Sequence, residues 1–106
     1  MKTFRKFIPT CRKILGIDPG YGRLGFGLIL NQGGENKIIE AGLMGSARET
    51  EWKNRLWTIA AGVEGLLKKH KPDCLALERI FFSRNQKTAL KIAEIRGVII
   101  YLAEKH

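Results

Sequence analysis

The segment from Glu51 to Lys71 constrains the fold of this chain most strongly, because it predicts an amphipathic helix that stops at Pro72. Its apolar residues recur at steps of three and four positions, so they share one face of a helix. These residues are Trp52, Leu56, Ile59, Ala60, Val63, Leu66 and Leu67. The pattern of the chain therefore changes at Glu51 from short apolar runs to a helix.

Three short apolar runs precede this helix and are separated by turn residues. They cover Lys13 to Ile17, Leu24 to Leu30 and Asn36 to Gly45, and they predict a meander of antiparallel strands. A fourth run, Asp73 to Leu77, follows the helix and is best interpreted as a strand inside a partly parallel sheet. A second helix is predicted from Gln86 to Glu104. The predicted order is β-β-β-α-β-α, an α/β fold.

The length and composition indicate one globular domain. A chain of 106 residues with 44% hydrophobic and 27% charged residues has room for a single core. We interpret residues 1–12, which include no acidic residue, as a solvated basic extension before a domain at 13–106. No apolar run approaches the roughly 20 residues needed to cross a membrane, and the extension lacks the apolar segment of a secretory signal.

The formal net charge of +9 has two interpretations, a soluble basic surface or a polyanionic partner such as nucleic acid. Nucleic acid is favoured because basic residues, which release counterions from phosphates, lie beside a candidate acidic site. These are Arg79, Arg84, Lys87, Lys91 and Arg96.

The cysteines and histidines give no sign of a zinc site. Cys11 and Cys74 form no C-x-x-C pair, and His70 and His106 have no partner at ligand spacing. Cys74 lies in an apolar run, where a reduced cysteine packs as a small hydrophobe. This usage predicts a reducing, cytoplasmic location.

The stretch GIDPGYGRLGFGLIL, residues 16–30, contains the G-x-G-x-x-G fingerprint of a dinucleotide-binding loop. That fingerprint requires a helix after the loop, because the pyrophosphate binds at the helix N-terminus. Here a second apolar run and a turn follow, and Glu40, at the right distance for a ribose contact, lies in a strand-like run. The dinucleotide interpretation is therefore disfavoured, and the glycines fit a tight turn that a DNA backbone could approach.

Asp18 and Glu78 each end an apolar strand-like run. If the two strands are neighbours, both carboxylates lie at one end of the sheet, where oxygen ligands suit Mg²⁺ or Mn²⁺. Two such ions can activate a water and stabilise the leaving oxygen of a phosphodiester. The alternative is that both are ordinary polar residues at strand ends, and the carboxylates alone do not decide between the two interpretations.

Two blocks of the sequence resemble the RuvC family of Holliday-junction resolvases. GIDPGYGRLGFGLI resembles the family's first strand and turn, and ALERIFFSRNQKTALKIAEIRG, residues 76–97, resembles its acidic strand, loop and following helix. The second block is the more specific, because it combines Glu78, Phe81, Asn85, Thr88–Leu90 and Arg96–Gly97 at the family's spacing. The resemblance implies an RNase H-like mixed sheet in which this chain lacks the final strand or strands and helix.

The resemblance also implies roles for individual residues. Asp18 and Glu78 match two of the family's four metal-binding carboxylates, which are catalytic ligands for two Mg²⁺ ions, with Mn²⁺ as a substitute. The other two carboxylates lie on a later helix that this chain does not reach. Phe81 matches an aromatic residue used at the junction centre, and the expected DNA contacts around it are Arg79, Arg84, Asn85, Lys87 and Lys91. The helix implicated in the family's homodimer carries a stripe of small residues here, Ala89, Ala93 and Gly97.

The function implied by the resemblance is a hydrolase of DNA recombination and repair. It is a structure-selective, Mg²⁺-dependent endonuclease that resolves four-way (Holliday) junctions by symmetric phosphodiester hydrolysis. The implied partners are four-way junction DNA, a second copy of the chain and a complex with a junction branch-migration helicase, with no membrane. Since half of the ligand set is missing, we expect the 106-residue chain alone to cleave slowly or not at all.

Three other classes are considered. The first is a catalytically incomplete RNase H-like module that binds structured nucleic acid without cutting. The sugar-kinase and actin-like group shares this sheet and an Asp-x-Gly turn, but it needs far more chain and does not require the Glu78–Arg96 block. A related family of pre-ribosomal-RNA nucleases shares the first turn but resembles the second block less well.

Overall fold

The described residues form five strands and two helices. The computed structural model describes residues 2–5, 12–20, 22–45, 51–79 and 86–106. In chain order the elements are β1 Lys2–Arg5, β2 Lys13–Pro19, β3 Leu24–Gln32, β4 Glu35–Met44, α1 Trp52–His70, β5 Cys74–Leu77 and α2 Gln86–Lys105. The predicted order β-β-β-α-β-α is confirmed from β2 to α2, and the strands form one sheet in the spatial order β1-β5-β2-β3-β4.

β2, β3 and β4 form the antiparallel meander that the turn residues predicted. The β3–β4 turn consists of Gly33 and Gly34, whose φ angles are 57° and 85°. Glycine adopts these positive angles without a steric cost. The turn places Gln32 opposite Glu35, so the hairpin closes directly after both strands.

β5 lies inside the sheet, as its apolar run predicted. It pairs in parallel with β2 and antiparallel with β1, and all four of its residues are buried. The strand begins at Cys74 rather than at Asp73. The Asp73 carboxylate instead accepts hydrogen bonds from the backbone N–H groups of Arg12 and Lys13, at 3.1 and 2.9 Å.

Both helices pack on the same face of the sheet and share one hydrophobic core with it. Alternate strand residues point to this face, and they are Leu15, Ile17, Leu24, Leu28, Leu75 and Leu77. The helices contribute Ile59, Val63, Leu66, Leu67, Ile95, Ile99 and Leu102. Neither of the described helices packs on the opposite side of the sheet, which we call the helix-free face. It carries Ile38, which is 75% exposed.

Residues 2–5 contradict the prediction that residues 1–12 are a solvated extension. They form β1, whose register on β5 runs from Lys2↔Leu77 to Arg5↔Cys74. With β2 on one side only, β5 would have a row of unpaired N–H and C=O groups on its other side, and β1 satisfies them. Residues 6–11 lie outside the described residues, so the domain boundary at residue 12 stays a prediction.

Two histidines connect α1 to its neighbours. His70 Nε2 lies 2.8 Å from Glu40 Oε2 on β4, and His106 Nε2 lies 2.7 Å from Glu64 Oε2 on α1. The hydrogen bond with His106 lowers the pKa of the Glu64 carboxyl below its ordinary value of 4.5. The first contact joins the last residue of α1 to the edge strand β4. The second joins α1 to the residue that follows α2.

Cys74 is buried as predicted, at 2% exposure, but it is in a disulfide rather than reduced. Cys11 lies outside the described residues. Because disulfides are rare in reducing compartments, the cysteines no longer favour a cytoplasmic location. Neither of the two described helices is long and apolar enough to cross a membrane.

Candidate active site

Asp18 and Glu78 lie next to each other at the carboxyl ends of two adjacent parallel strands. The β2–β5 register pairs Ile17 with Leu77, and Asp18 and Glu78 are the next residues along the two strands. The Glu78 N–H donates to the Ile17 carbonyl at 3.1 Å. The backbones that carry the two carboxylates are therefore joined directly.

Both carboxylates lie on the helix-free face by the alternation of side chains along a strand. Ile17 and Leu77, one residue earlier in each strand, are buried in the core on the helix side. Asp18 is exposed and Glu78 is partly exposed. Their position is thus accessible to a cation or a phosphate, whereas the residues before them are not.

The turn after Asp18 is tight and requires glycine. Gly20 donates its N–H to the Arg23 carbonyl at 2.8 Å, and a Cβ on Gly20 would lie 2.6 Å from that carbonyl oxygen. β3 begins at Leu24 and runs antiparallel to β2. A strand therefore follows the G-x-G-x-x-G match, so no helix N-terminus is present there for a pyrophosphate, and the match is a hairpin turn.

The donor set fits a hard divalent cation in part. Asp18 and Glu78 supply carboxylate oxygens, which are the ligands that Mg²⁺ and Mn²⁺ prefer. In the part of the chain that the structure describes, no group of three or more His, Cys, Asp or Glu side chains could hold a metal ion. The pair therefore supplies a portion of a coordination shell.

Arg96 contacts the site from α2. Its Nη1 donates a hydrogen bond to the main-chain carbonyl of Glu78, and the contact is partly buried. The sequence block that contains both residues indicated that they belong together, but it gave no contact between them. A main-chain acceptor has no signature in a sequence, so this contact could not be predicted.

The predicted DNA-binding residues are only partly described. Arg79 directly follows Glu78 and is exposed, and Lys87 is exposed in the first turn of α2. The Lys91 Nζ lies 5.5 Å from the centroid of the Trp52 ring, a cation–π distance that connects α2 to α1. Phe81, Arg84 and Asn85 lie outside the described residues, and their roles stay predictions.

The small-residue stripe of α2 is divided between the core and the surface. Ala89 is 4% exposed and belongs to the chain's own interior, Ala93 is half-buried, and Gly97 is exposed. Leu90 and Tyr101, which are 59% and 62% exposed, lie on the same side as Gly97 at helical spacing. The exposed apolar face of α2 is therefore rotated away from Ala89. Neither Leu90 nor Tyr101 was predicted to lie on this face.

A sequence model of the family described as crossover junction endodeoxyribonuclease RuvC matches residues 14–106. This chain belongs to the RuvC family. The match includes both Asp18 and Glu78 and all of α1, β5 and α2. The resemblance of the two sequence blocks is thereby confirmed at the level of the family.

Individual RuvC proteins agree with this assignment. The chain is 45% identical over 86 residues to RuvC of Brachyspira hyodysenteriae, which is 81% of this chain and 54% of that protein. It is 40% identical over 92 residues to RuvC of Petrotoga mobilis, 87% of this chain and 56% of that protein. The chain thus spans about half the length of the curated relatives it matches.

A solved RuvC structure has the same fold. Thermus thermophilus RuvC in complex with a Holliday junction substrate superposes with a TM-score of 0.79 at 26% identity, over 88% of this chain and 60% of that one. The predicted RNase H-like α/β class is therefore confirmed.

Proposed function

We propose that this chain supplies the Asp18–Glu78 half of the metal site of a four-way-junction endonuclease. One observation carries the proposal: in a RuvC-family chain, these two carboxylates are the next residues after Ile17↔Leu77, the last pair in the register of two adjacent parallel strands. Paired carboxylates at such a position repel each other unless they share a proton or bind cations. Phosphodiester hydrolysis assisted by a divalent metal uses this arrangement.

Asp18 and Glu78 would hold one or both of two Mg²⁺ ions, with Mn²⁺ as a substitute. When bound, such ions lower the pKa of a water and stabilise the leaving oxygen of a phosphodiester. The chain's own residues hold the cation at the strand ends and leave the helix-free face accessible to the DNA backbone. The tight turn at Gly20 supports this access, because it leaves few residues between β2 and β3 beside Asp18.

The proposed substrate is four-way junction DNA. Thermus thermophilus RuvC, which has the same fold, was solved in complex with a Holliday junction substrate. The net charge of +9 supports a polyanionic partner. In the proposal Arg79, Arg84, Asn85, Lys87 and Lys91 contact the DNA and Phe81 inserts near the junction centre. Phosphate contacts position the protein, whereas junction shape provides the selectivity.

A homodimer is part of the proposal. A four-way junction has two-fold symmetry, and resolution needs two symmetric cuts, so a two-fold dimer places one site at each strand. The exposed face of α2, formed by Leu90, Ala93, Gly97 and Tyr101, is the surface that we propose for the contact. A complex with a branch-migration helicase stays a prediction of the family resemblance. A cytoplasmic location, which the cysteines no longer favour, is not part of the proposal.

The experiment uses the purified 106-residue chain with a synthetic four-way junction and a duplex of matching sequence. We expect tighter binding to the junction than to the duplex in gel-shift titrations. With Mg²⁺ we expect slow cleavage or none, because two carboxylates are an incomplete ligand set. Equal affinity for both DNAs would contradict junction selectivity. Robust Mg²⁺-dependent cutting would contradict the incomplete site.

A module that binds structured nucleic acid without cutting is the second candidate. Exposed Arg79 and Lys87 support nucleic-acid binding whether or not the chain cleaves. The two candidates agree on binding and differ on cleavage once the remaining half of a RuvC site is provided. Cleavage by a chain that is completed with the remaining half of a RuvC site therefore distinguishes the two candidates.

A further inference from the structure

We infer that Arg96 is a positioning residue for Glu78, an inference that rests on the proposed metal site. Arg96 lies on α2, 18 residues beyond Glu78, and its guanidinium donates to the Glu78 main-chain carbonyl. Through this hydrogen bond α2 determines the orientation of the peptide from which the Glu78 carboxylate extends.

The backbone of Glu78 is held on two sides. Its N–H donates to the Ile17 carbonyl at 3.1 Å, which ties it to the strand that carries Asp18. Its carbonyl accepts from Arg96, which ties it to α2. The regular β2–β5 register ends at Ile17↔Leu77, so Glu78 is the first residue beyond it. The two hydrogen bonds therefore continue the order of the sheet for one more residue.

The anchor of Arg96 is rigid because its neighbours on α2 belong to the core. Ile95 and Ile99 are buried against the sheet at 0% and 1% exposure. The base of the Arg96 side chain therefore cannot move without displacing core residues. The Arg96 side chain thereby links the Glu78 peptide to the part of α2 that packs in the core.

The hydrogen bond from Arg96 does not involve the Glu78 carboxylate, which is the proposed metal ligand. Arg96 contacts the main-chain oxygen of Glu78 rather than its carboxylate. An arginine bound to the carboxylate would compete with a cation for the same oxygens. A guanidinium on the neighbouring carbonyl instead orients the carboxylate, as outer-shell partners of metal ligands do.

Mn²⁺ binding to the 106-residue chain, measured by the decrease of the free-ion EPR signal, tests this role. We expect Arg96→Leu to weaken Mn²⁺ affinity about tenfold or more, the range found for outer-shell partners. Arg96→Lys retains a charged donor and should recover part of the affinity. Arg55→Leu removes a half-buried arginine from α1 and serves as the matched control, with unchanged affinity expected.

Circular dichroism and unfolding midpoints establish that each variant is folded. If Arg96→Leu does not fold, Arg96→Gln, whose shorter side chain cannot span the same distance, takes its place with the same expected loss. Unchanged Mn²⁺ affinity in the folded variant overturns the positioning role. Affinity that also falls in Arg55→Leu overturns it as well, because the effect is then one of charge.

The proposed function fails in a different way. Asp18→Asn should remove Mn²⁺ binding, and binding that persists in this variant contradicts the metal site itself. If the wild-type 106-residue chain binds no Mn²⁺, the two carboxylates do not hold the ion without further ligands, and the positioning role is overturned in this chain. If Asp18→Asn loses the ion while Arg96→Leu retains it, only the positioning role is overturned.

Discussion

At the scale of single residues, Gly20 determines the shape of the turn after Asp18 in the stretch GIDPGYGRLGFGLIL. Gly20 closes the turn through its hydrogen bond to the Arg23 carbonyl. The absence of a side chain at Gly20 allows the two backbones to approach. The glycines of this motif thus bring β3 back beside the strand that carries Asp18, rather than forming a phosphate cradle.

Gly20→Ala should destabilise the chain by about 1–3 kcal/mol, the usual cost of overpacking. The added Cβ would lie 2.6 Å from a backbone oxygen, which cannot rotate away as a side chain can. Urea unfolding measures the change. Gly22→Ala is the control, because a Cβ there meets no atom within 4 Å. Equal stability of the Gly20→Ala variant and the wild type would show that the turn relaxes at no cost.

Residue patterns identified Asp18 and Glu78 because both end apolar runs, and strand ends are visible in a sequence. They left open whether the two strands are neighbours, which the β2–β5 register establishes. The contact of Arg96 was not predictable, because its acceptor is a main-chain carbonyl that every residue possesses. Asn85 was identified from the family resemblance, whereas Phe81 and Arg84 also belong to a loop that mixes aromatic and basic residues beside Glu78. The roles of all three stay predictions.

At the scale of elements, strands and helices followed from local periodicity, and their bounds agree within a few residues. β1 was missed because its partner β5 lies far along the chain, and no local pattern records a distant partner. On α2, four-residue steps rotate by about 40° each. The stripe from Ala89 to Gly97 therefore turns from the core to the surface.

Leu90→Lys should weaken a homodimer of the chain, because Leu90 is 59% exposed on the proposed contact face of α2. If Leu90 is a hot spot of the contact, its replacement costs about 2 kcal/mol, and the dissociation constant should rise about thirtyfold. Sedimentation equilibrium measures it. Ile38→Lys, at an exposed apolar residue on β4, is the matched control and should leave the dimer intact.

The two variants also identify the alternative contact. If Ile38→Lys dissociates the dimer and Leu90→Lys does not, the helix-free face of the sheet is the interface instead. A wild-type chain that stays monomeric at every concentration would contradict a dimer built by α2 in this chain.

At the scale of the whole molecule, the chain contains the sheet that holds Asp18 and Glu78. It spans about half the length of its curated relatives. The core packs two helices on one face and leaves the carboxylates on the other. A complete site therefore requires ligands that approach from the helix-free side or along the sheet edge. In this proposal the two carboxylates are functional ligands once such groups are present.

The most direct test joins this chain to the remaining part of Brachyspira hyodysenteriae RuvC and measures Mg²⁺-dependent cleavage of a synthetic four-way junction. We predict that the fusion cuts the junction symmetrically. Asp18→Asn and Glu78→Gln in the fusion should each slow cleavage at least about 100-fold, beyond the loss expected for an outer-shell partner, while junction binding persists. Cleavage at an unchanged rate in either variant would contradict the assignment of Asp18 and Glu78 as metal ligands.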